Sequence, residues 1–514
     1  DVFDNEHGEV DFSSVEDAHK AIVEQVVEVD DSLTEKYLAG TQPTEQEIHA
    51  AFEKALREAH LTPICFCSSN KGVGVKELLH VFVDRCPSPL EGNPRPFHMG
   101  SGDDIKPFVP DQNPDDPLLA HVFKVTTDPF VGKLAFFRVH QGRLKHNSQV
   151  YRNDEKKAVR IGHVLSVMGK DTKDVDEVIA GDIGAVAKLE EIHTGDCLHD
   201  SHDLDSVEFE APPMPRPMYG LAITPKSRGD ETKVGSAVQK LMEEDPTFVV
   251  ERVAATKQTV ARGVGELHLR IMIEKLMGRF SVDVATAPPR VAYKETITSK
   301  AEGHHRHKKQ TGGAGQFGEV FLRIEPLKED SENGVAGFEF ADETFGGSVP
   351  KQFMPAIEKG IRQVLSGGAI AGYPMTGVRV AVYDGKHHPV DSKEVAFVTA
   401  GKRAFIDAVQ KARPVLLEPY VHLEVTAPAS YMGDLTSDIS GKRGRVQGTD
   451  MLPGDLCVVK ALAPLSEILN YSSQLKSMTQ GQGSYTMDYS HDEPTPPNVQ
   501  QDIVAQFKPH EDED

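Results

Sequence analysis

The chain has 514 residues, which at roughly 100–200 residues per domain accommodates about three to five domains. Hydrophobic residues make up 39% and charged residues 26%, a globular composition that excludes a disordered or disulfide-built chain. No window approaches the ~18 consecutive apolar residues of a membrane span, and the opening Asp1-Val2-Phe3-Asp4 lacks the basic start and apolar core of a secretion signal. The chain also begins without methionine, so an upstream segment is expected. Nothing in the sequence supports an oligomer, and a monomer is expected.

Five cysteines (Cys65, Cys67, Cys86, Cys197, Cys457) are too few and too scattered for a disulfide framework, which fits a reducing cytoplasm. Cys65-Phe66-Cys67 alternates as a strand does, and burial in a core is expected for the pair; zinc would want four ligands at wider spacing. The formal charge is −23, but it is unevenly spread. Residues 1–60 carry net −12, and the tail from Met487 has eight acids against Lys508 alone. Arg290 to Arg323 is net +4 with His304, His305 and His307 besides, and Arg379 to Arg413 is net +3 with His387 and His388. Acidic ends around a patchily basic middle suit a protein that meets a polyanion with one face; solvated surface charge explains them equally well.

In chain order, residues 13–59 predict two helices. Val15, Ala18, Ile22, Val26 and Val29 recur at helical spacing, and Ile48, Ala51, Phe52 and Leu56 do so behind Thr44-Glu45-Gln46-Glu47, which has the form of a capping box. Leu61–Cys67 predicts a buried strand, Gly72–Gly74 a turn, and Val75–Cys86 a helix stopped by Pro87-Ser88-Pro89. The Pro-, Gly- and Asp-rich stretch 87–117 has the composition of a linker. From Leu118 to Phe209, short apolar runs with glycine punctuation predict a closed β-barrel, and Pro212, Pro213, Pro215 and Pro217 mark its end.

Two later segments share one order. Met218–Thr224, Glu231–Glu244, Thr247–Val253, Gln258–Gly263, Glu266–Gly278 and Ser281–Ala285 predict β-α-β-β-α-β. Tyr420–Ala427, Tyr431–Ile439, Arg443–Asp450, Asp455–Ala463, Glu467–Lys476 and Gly483–Tyr489 repeat it, the split ferredoxin-like unit. A third α/β unit, about Val291 to Pro414, lies between them. The expected architecture is multidomain α/β and β: a short α/β remnant, a β-barrel, and two ferredoxin-like modules flanking a further α/β module.

No G-x-x-x-x-G-K-[ST] phosphate loop occurs, since the Gly-Lys pairs are followed by Leu134, Asp171, His387, Arg403 and Arg443, and Asn70-Lys71 does not continue into a guanine-reading N-K-x-D. Gly263–Leu269 places a glycine turn before a helix. There Glu266 and His268 read as packing and capping groups, because no nucleophile partner for an acid–base pair is evident. The most unusual stretch is His304–Gln316. Its Gly312, Gly313 and Gly315 allow close backbone approach beside the cations Arg306, Lys308 and Lys309, a combination suited to RNA phosphates; a histidine metal site would lack Cys or carboxylate partners. Asp384–Ser392 forms a second polar loop, either a plain connector with Asp391 or Ser392 as helix cap or a partner of the Gly312 loop.

These residues together resemble the translational GTPase elongation factor G, from the later part of its GTPase domain to its C-terminus. Ser68-Ser69, Gly74-Val75, Leu78-Leu79 and Pro87-Ser88-Pro89-Leu90 resemble the last guanine-binding element, its helix and the exit linker. Thr126-Thr127-Asp128-Pro129 with Gly132-Lys133-Leu134 resembles the start of the barrel domain. Glu243–Phe248 and Gly265–Leu269 match the third domain, and Gln310–Gly318 the fourth. Val415–Pro419, Tyr431-Met432-Gly433-Asp434, Arg443-Gly444 and Thr479-Gln480-Gly481 match the fifth.

The resemblance implies a GTPase-domain remnant with its helical insert (1–95), a barrel domain (115–209), a ferredoxin-like domain (214–288), a domain with tip loops (289–414), a second ferredoxin-like domain (415–500) and an acidic tail (501–514). It implies a ribosomal translocase that couples GTP hydrolysis, with Mg, to movement of tRNA and mRNA in the cytoplasm. The ribosome (rRNA and ribosomal proteins) and the tRNA–mRNA duplex are the implied partners, with no membrane. Carried over by position, the tip loops are Gly312–Gly318 and Asp384–Ser392, with Gly312, Gly313, Gln316, His388, Asp391 and Ser392 as contacts. Arg306, Lys308, Lys309, Lys442 and Arg443 are the expected RNA-contacting cations, and Glu266 and His268 are interdomain or structural.

Of the nucleotide site only Ser68 and Ser69 remain, so this chain alone is expected to bind no GTP and to hold no catalytic residue. Ser68-Ser69 replaces the family's Ser-Ala pair, His304–Lys309 is bulkier than usual, and Pro389 replaces an acidic residue after the tip histidine. These features resemble elongation-factor-G-like paralogs that split or protect ribosomes, and a non-hydrolysing ribosome-binding module is a further alternative.

Overall fold

The computed structural model describes residues 7–8, 14–58, 60–84, 86–89, 92, 95–100, 102–128, 132–309, 315–327 and 337–507. The chain divides into two compact units, Asp1–Pro213 and Met214–Asp514.

The first unit opens with three helices where two were expected: α1 (Val15–Val27), α2 (Asp31–Leu38) and α3 (Glu45–Arg57). The extra break lies at Asp30, whose carboxylate accepts from the backbone N–H of Ser32 at 3.0 Å and of Leu33 at 3.3 Å and so starts a new helix. The capping box before α3 forms in full, with Thr44 N–H donating to Glu47 at 2.7 Å and Glu47 N–H to the Thr44 hydroxyl at 3.4 Å. Val23, Val26, Val27, Leu33, Ala51 and Phe52 bury the shared apolar face.

Leu61–Cys67 is not the expected buried strand. It is irregular, and Ile64 and Phe66 are exposed, as are Cys65, Cys67 and Cys86; of the five cysteines only Cys197 and Cys457 are buried. A buried strand needs neighbours for its backbone N–H and C=O groups, and no strand among the described residues pairs with this one. Helix α4 (Val75–Asp84) follows as expected. The stretch 87–117 is more than a linker: Phe97–Met99 pairs with both Lys106–Phe108 and Val207–Phe209. Phe97 draws it in, packing with Leu119, Cys197, Leu204 and Val207.

Residues 119–199 form an eight-stranded sheet, in the order Val159–Arg160, Gln149–Arg152, Cys197–His199, Leu119–Asp128, Gly132–Gln141, Ile183–Ala187, Val164–Met168, Asp171–Val175. The pairing is a path with two free ends, so the sheet is not closed by backbone hydrogen bonds as the barrel expectation required. It nonetheless curls round one core, because Val150 and Leu198 near one end share a cluster with Phe137 and with Val164 near the other.

In the second unit, β1 (Tyr219–Pro225), α5 (Glu231–Glu244), β2 (Val249–Val253), β3 (Gln258–Gly263), α6 (Glu266–Phe280) and β4 (Val284–Ala287) give an antiparallel sheet of order β2-β3-β1-β4. That is the ferredoxin-like arrangement predicted from the element order. The middle module has β6 (Ala301–Lys309), β7 (Gln316–Pro326), β8 (Phe338–Asp342), α7 (Met354–Gly367), β9 (Val378–Lys386) and α8 (Glu394–Lys411), with β5 (Lys294–Ile297) preceding them. Its sheet order is β6-β7-β9-β8, with β8 parallel to β9. Val320, Leu322, Ile324, Val380 and Val382 alternate onto one face and meet Ile357, Ile361, Phe397 and Phe405 of α7 and α8.

The last module is built from β10 (Pro414–Pro428), α9 (Met432–Gly441), β11 (Arg445–Leu452), β12 (Leu456–Pro464), α10 (Tyr471–Met478) and β13 (Ser484–Pro494), followed by α11 (Pro497–Gln506). Its sheet runs β5-β10-β12-β11, with β13 also paired to the 15-residue β10. Strand β5 therefore joins this sheet rather than that of the middle module. Its Glu295, fully buried, accepts from the backbone N–H groups of Ala369, Ile370, Ala371 and Tyr373 at 2.6–3.1 Å, fixing the loop after α7. No helix among the described residues is long and apolar enough to cross a membrane.

Candidate nucleic-acid interface

At one end of the middle module the β6–β7 hairpin keeps unbroken register from Ala301↔Ile324 to Lys309↔Gln316. Lys308 stands opposite Phe317 and Arg306 opposite Glu319, and β9 continues the row with Lys386 opposite Glu319. The loop after β9 lies against the start of β7. Phe317 N–H donates to the Asp391 carbonyl at 2.9 Å, Gly315 N–H to the Asp391 carboxylate at 3.1 Å, and the Ser392 hydroxyl to the Phe317 carbonyl at 2.9 Å. Six backbone and side-chain groups are thereby satisfied between segments far apart in sequence.

The structure thus joins Asp391 and Ser392 to the glycine-loop exit, and neither caps α8. The N-cap of that helix is Lys393, with no side-chain cap bond, because Asp391 and Ser392 are already engaged across the tip. Gly312 and Gly313 lie outside the described residues. Gln316 Oε1 is 3.2 Å from His307 Nε2, which ties it to β6.

His388 is held from within its own loop. Its N–H donates to the Ser392 hydroxyl at 2.8 Å, and its Nδ1 accepts from the backbone N–H of Asp391 at 3.1 Å and Val390 at 3.3 Å. Nδ1 also lies 3.3 Å from the Asp391 carboxylate. The two N–H donors make Nδ1 an acceptor, an assignment of tautomer inferred from these contacts. Nε2 is left without a hydrogen bond to any described residue.

Phe317 packs edge-on to His388, with centroids 6.3 Å apart, and carries the Arg306 guanidinium over its ring at 5.3 Å. The sequence pattern did not single out Phe317, whose place opposite Lys308 is set by the register of the β6–β7 pair. His304 stacks on Phe321 at 4.1 Å and faces Glu319 at 2.9 Å, while the second Glu319 oxygen is buried without a partner. Burial, with Arg403 nearby, holds His305 below the usual imidazole value. Lys308, Lys309 and Lys386 make no ion pair among the described residues.

The second expected cationic pair behaves differently. Arg443 clamps the fully buried Glu418 at 2.5 and 3.0 Å and also reaches Glu467 at 2.9 Å and Ser466 at 3.1 Å. Lys442 is paired with Asp438 and lies over Tyr471. Both cations are thus engaged by carboxylates of their own module, unlike Lys308 and Lys309.

His268 is a latch: Nδ1 accepts from Val264 N–H at 3.2 Å, and Nε2 donates to Asp245 at 3.1 Å. Burial pushes the Asp245 carboxyl up, but hydrogen bonds from Thr247 and His268 outweigh it and hold it below the usual carboxylate value. Glu266 opens α6 within its first turn, where a carboxylate complements the helix dipole. In the first unit, Ser68 N–H bonds the Val73 carbonyl at 2.8 Å across a turn. Ser68 and Ser69 sit on that turn before α4. The described residues there form no phosphate-cradling loop with a lysine, so they do not by themselves fit a Mg-bound guanine triphosphate, and no nucleotide step is assigned to them.

Sequence comparison matches the chain to "Elongation factor G domain 2" over residues 117–201, "Elongation Factor G, domain III" over 214–288, "Elongation factor G, domain IV" over 289–413 and "Elongation factor G C-terminus" over 415–503. None of these four is a GTPase domain. The crystal structure of ttk003000868 from Thermus thermophilus is 37% identical, with a TM-score of 0.69 over 96% of this chain and 70% of that one. The chain belongs to the elongation factor G family.

Proposed function

We propose that this chain is the ribosome-engaging part of an elongation factor G-type translocase. Its middle module presents two loops to the tRNA–mRNA duplex, and in the intact protein that contact is coupled to hydrolysis of GTP with Mg. The observation that carries the reading is the tip: Asp391 and Ser392 fasten the histidine loop to Gly315 and Phe317 at the start of β7, beside cations that no described carboxylate neutralises. A pre-positioned tip loses little entropy on binding, and free lysines attract the RNA backbone. The work is cytoplasmic and the partners are rRNA, ribosomal proteins and the duplex.

His388 acts after docking, through the Nε2 that no described residue engages. His388→Ala in the intact protein should slow translocation by about tenfold or more, equivalent to ~1.4 kcal/mol, while ribosome-stimulated GTP hydrolysis stays close to wild type. A parallel fall in hydrolysis would refute that division. Pro389 beside His388 favours a second reading, a paralog that splits or protects ribosomes; it predicts normal ribosome binding with no translocation even in the unmutated intact protein.

A further inference from the structure

We propose that the loop 343–350 is a third RNA-contacting element of the middle module, in which the Phe345 ring stacks on an unpaired base. The proposal rests on the RNA-binding reading above and extends it to residues outside the two tip loops. Phe345 is 93% exposed, the most exposed large apolar side chain among the described residues.

The loop that carries it is anchored on both sides. Before the ring, the Asp342 carboxylate accepts from Thr344 N–H at 3.0 Å and its hydroxyl at 2.7 Å, and Glu343 N–H donates to the Val382 carbonyl at 2.9 Å. After it, Val349 is buried and the Ser348 carbonyl lies 3.4 Å from His387 Nδ1, next to the tip histidine. The turn between is Gly346-Gly347, with φ of +68° and +74°, values that side chains rarely adopt. The ring is therefore projected from a fixed turn beside the tip instead of being folded back onto the core.

Charge decides the class of ligand. Lys351, Lys386 and Lys393, which flank this loop and the neighbouring one, make no ion pair among the described residues. Of the nearby carboxylates, Glu343 is paired with Arg323 at 2.6 Å and Arg379 at 3.0 Å, while Asp384 accepts from Gly385 N–H at 2.8 Å and Asp391 from Gly315 N–H. A lone exposed ring, in a loop followed by an unpaired lysine and adjoining a loop flanked by two more, suits a base with its phosphates, since every base can stack on an aromatic ring. A protein partner would instead want a contiguous apolar patch of a few hundred Å², and Thr344, Gly346 and Gly347 add none around the ring.

The chain contains no tryptophan, so Phe345→Trp provides a lone fluorescent reporter at an exposed position where folding is little affected. The full chain carrying it would be titrated with single-stranded oligoadenylate, with the oligoadenylate–oligouridylate duplex, and with ribosomes. The proposal expects quenching by the single strand and by ribosomes but little by the duplex. It also expects about a tenfold weaker ribosome affinity for Phe345→Ala, with affinity retained in Phe345→Tyr. Wild-type ribosome affinity in Phe345→Ala, with no quenching, would overturn the proposal alone. Lost ribosome affinity in Phe345→Ala without quenching by any RNA would assign the ring to a ribosomal protein and also overturn it. Failure of the unmutated chain to bind ribosomes at any salt concentration would overturn the RNA-binding reading as well.

Discussion

At Arg443 backbone and side chain are constrained together. Its φ is +59°, and its guanidinium forks onto Glu418, which no solvent reaches. Removing one partner of a buried pair leaves the other charge uncompensated, so Arg443→Ala should cost about 3–5 kcal/mol in urea unfolding. Arg443→Lys should recover only part of this, because an ammonium cannot supply the bidentate fork. A loss under about 1 kcal/mol for Arg443→Ala would mean that Glu418 finds another donor or water. Asp245 makes a pH-dependent contribution of the opposite charge type. Its carboxyl is held below the ordinary value, so the stability it adds is present above the unfolded value near 3.9 and is lost as pH falls through the lower folded value. Asp245→Asn should lower stability at neutral pH and flatten the acid limb of the stability–pH curve. An unchanged acid limb would show that His268 and Thr247 do not favour the charged form.

At the scale of elements, the junction of α7 and α8 shows what a pattern of apolar residues leaves out. A Cβ at Gly360 would lie 2.2 Å from the Val398 carbonyl oxygen on α8, and one at Gly401 would lie 2.9 Å from the Ile357 carbonyl oxygen on α7. The helices touch backbone to backbone at both glycines. Gly360→Ala should force them apart and cost about 1–3 kcal/mol by overpacking, despite alanine's better helix propensity; thermal unfolding would measure it, and a gain in stability would disprove the close approach. Capping and periodicity were legible at the Thr44–Glu47 box and in both β-α-β-β-α-β runs, where the information is local. The break at Asp30 was equally local but hidden inside a continuous apolar period. Leu61–Cys67 misled for the converse reason: its composition is that of a buried strand, while burial depends on neighbours that no described strand supplies. Closure of the barrel was likewise not legible, since edge pairing depends on register between distant strands.

For the molecule as a whole, net charge says less than where each charge is held. Lys308 and Lys309 on the hairpin are unpaired among the described residues, whereas Lys442 and Arg443 are engaged internally. Replacing Lys308 and Lys309 by Ala should weaken ribosome binding and reduce the slope of log affinity against log salt by roughly 0.7–0.9 for each phosphate no longer neutralised. An unchanged slope would show that these side chains point away from RNA.

The order and type of the modules and the family follow from the sequence alone. They depend on local propensity, period and motif order, which are written contiguously along the chain. Only the tertiary structure decided which cations are free. Arg443 and Lys308 are alike as residues, and they differ because Glu418, from a strand 25 positions away, is folded beneath one of them. The engagement of Asp391 with Gly315, 76 positions apart, and the projection of Phe345 beside His387 were decided in the same way. Hydrogen bonds and solvent exposure are properties of neighbours in space, and the chain assigns those neighbours only once it has folded.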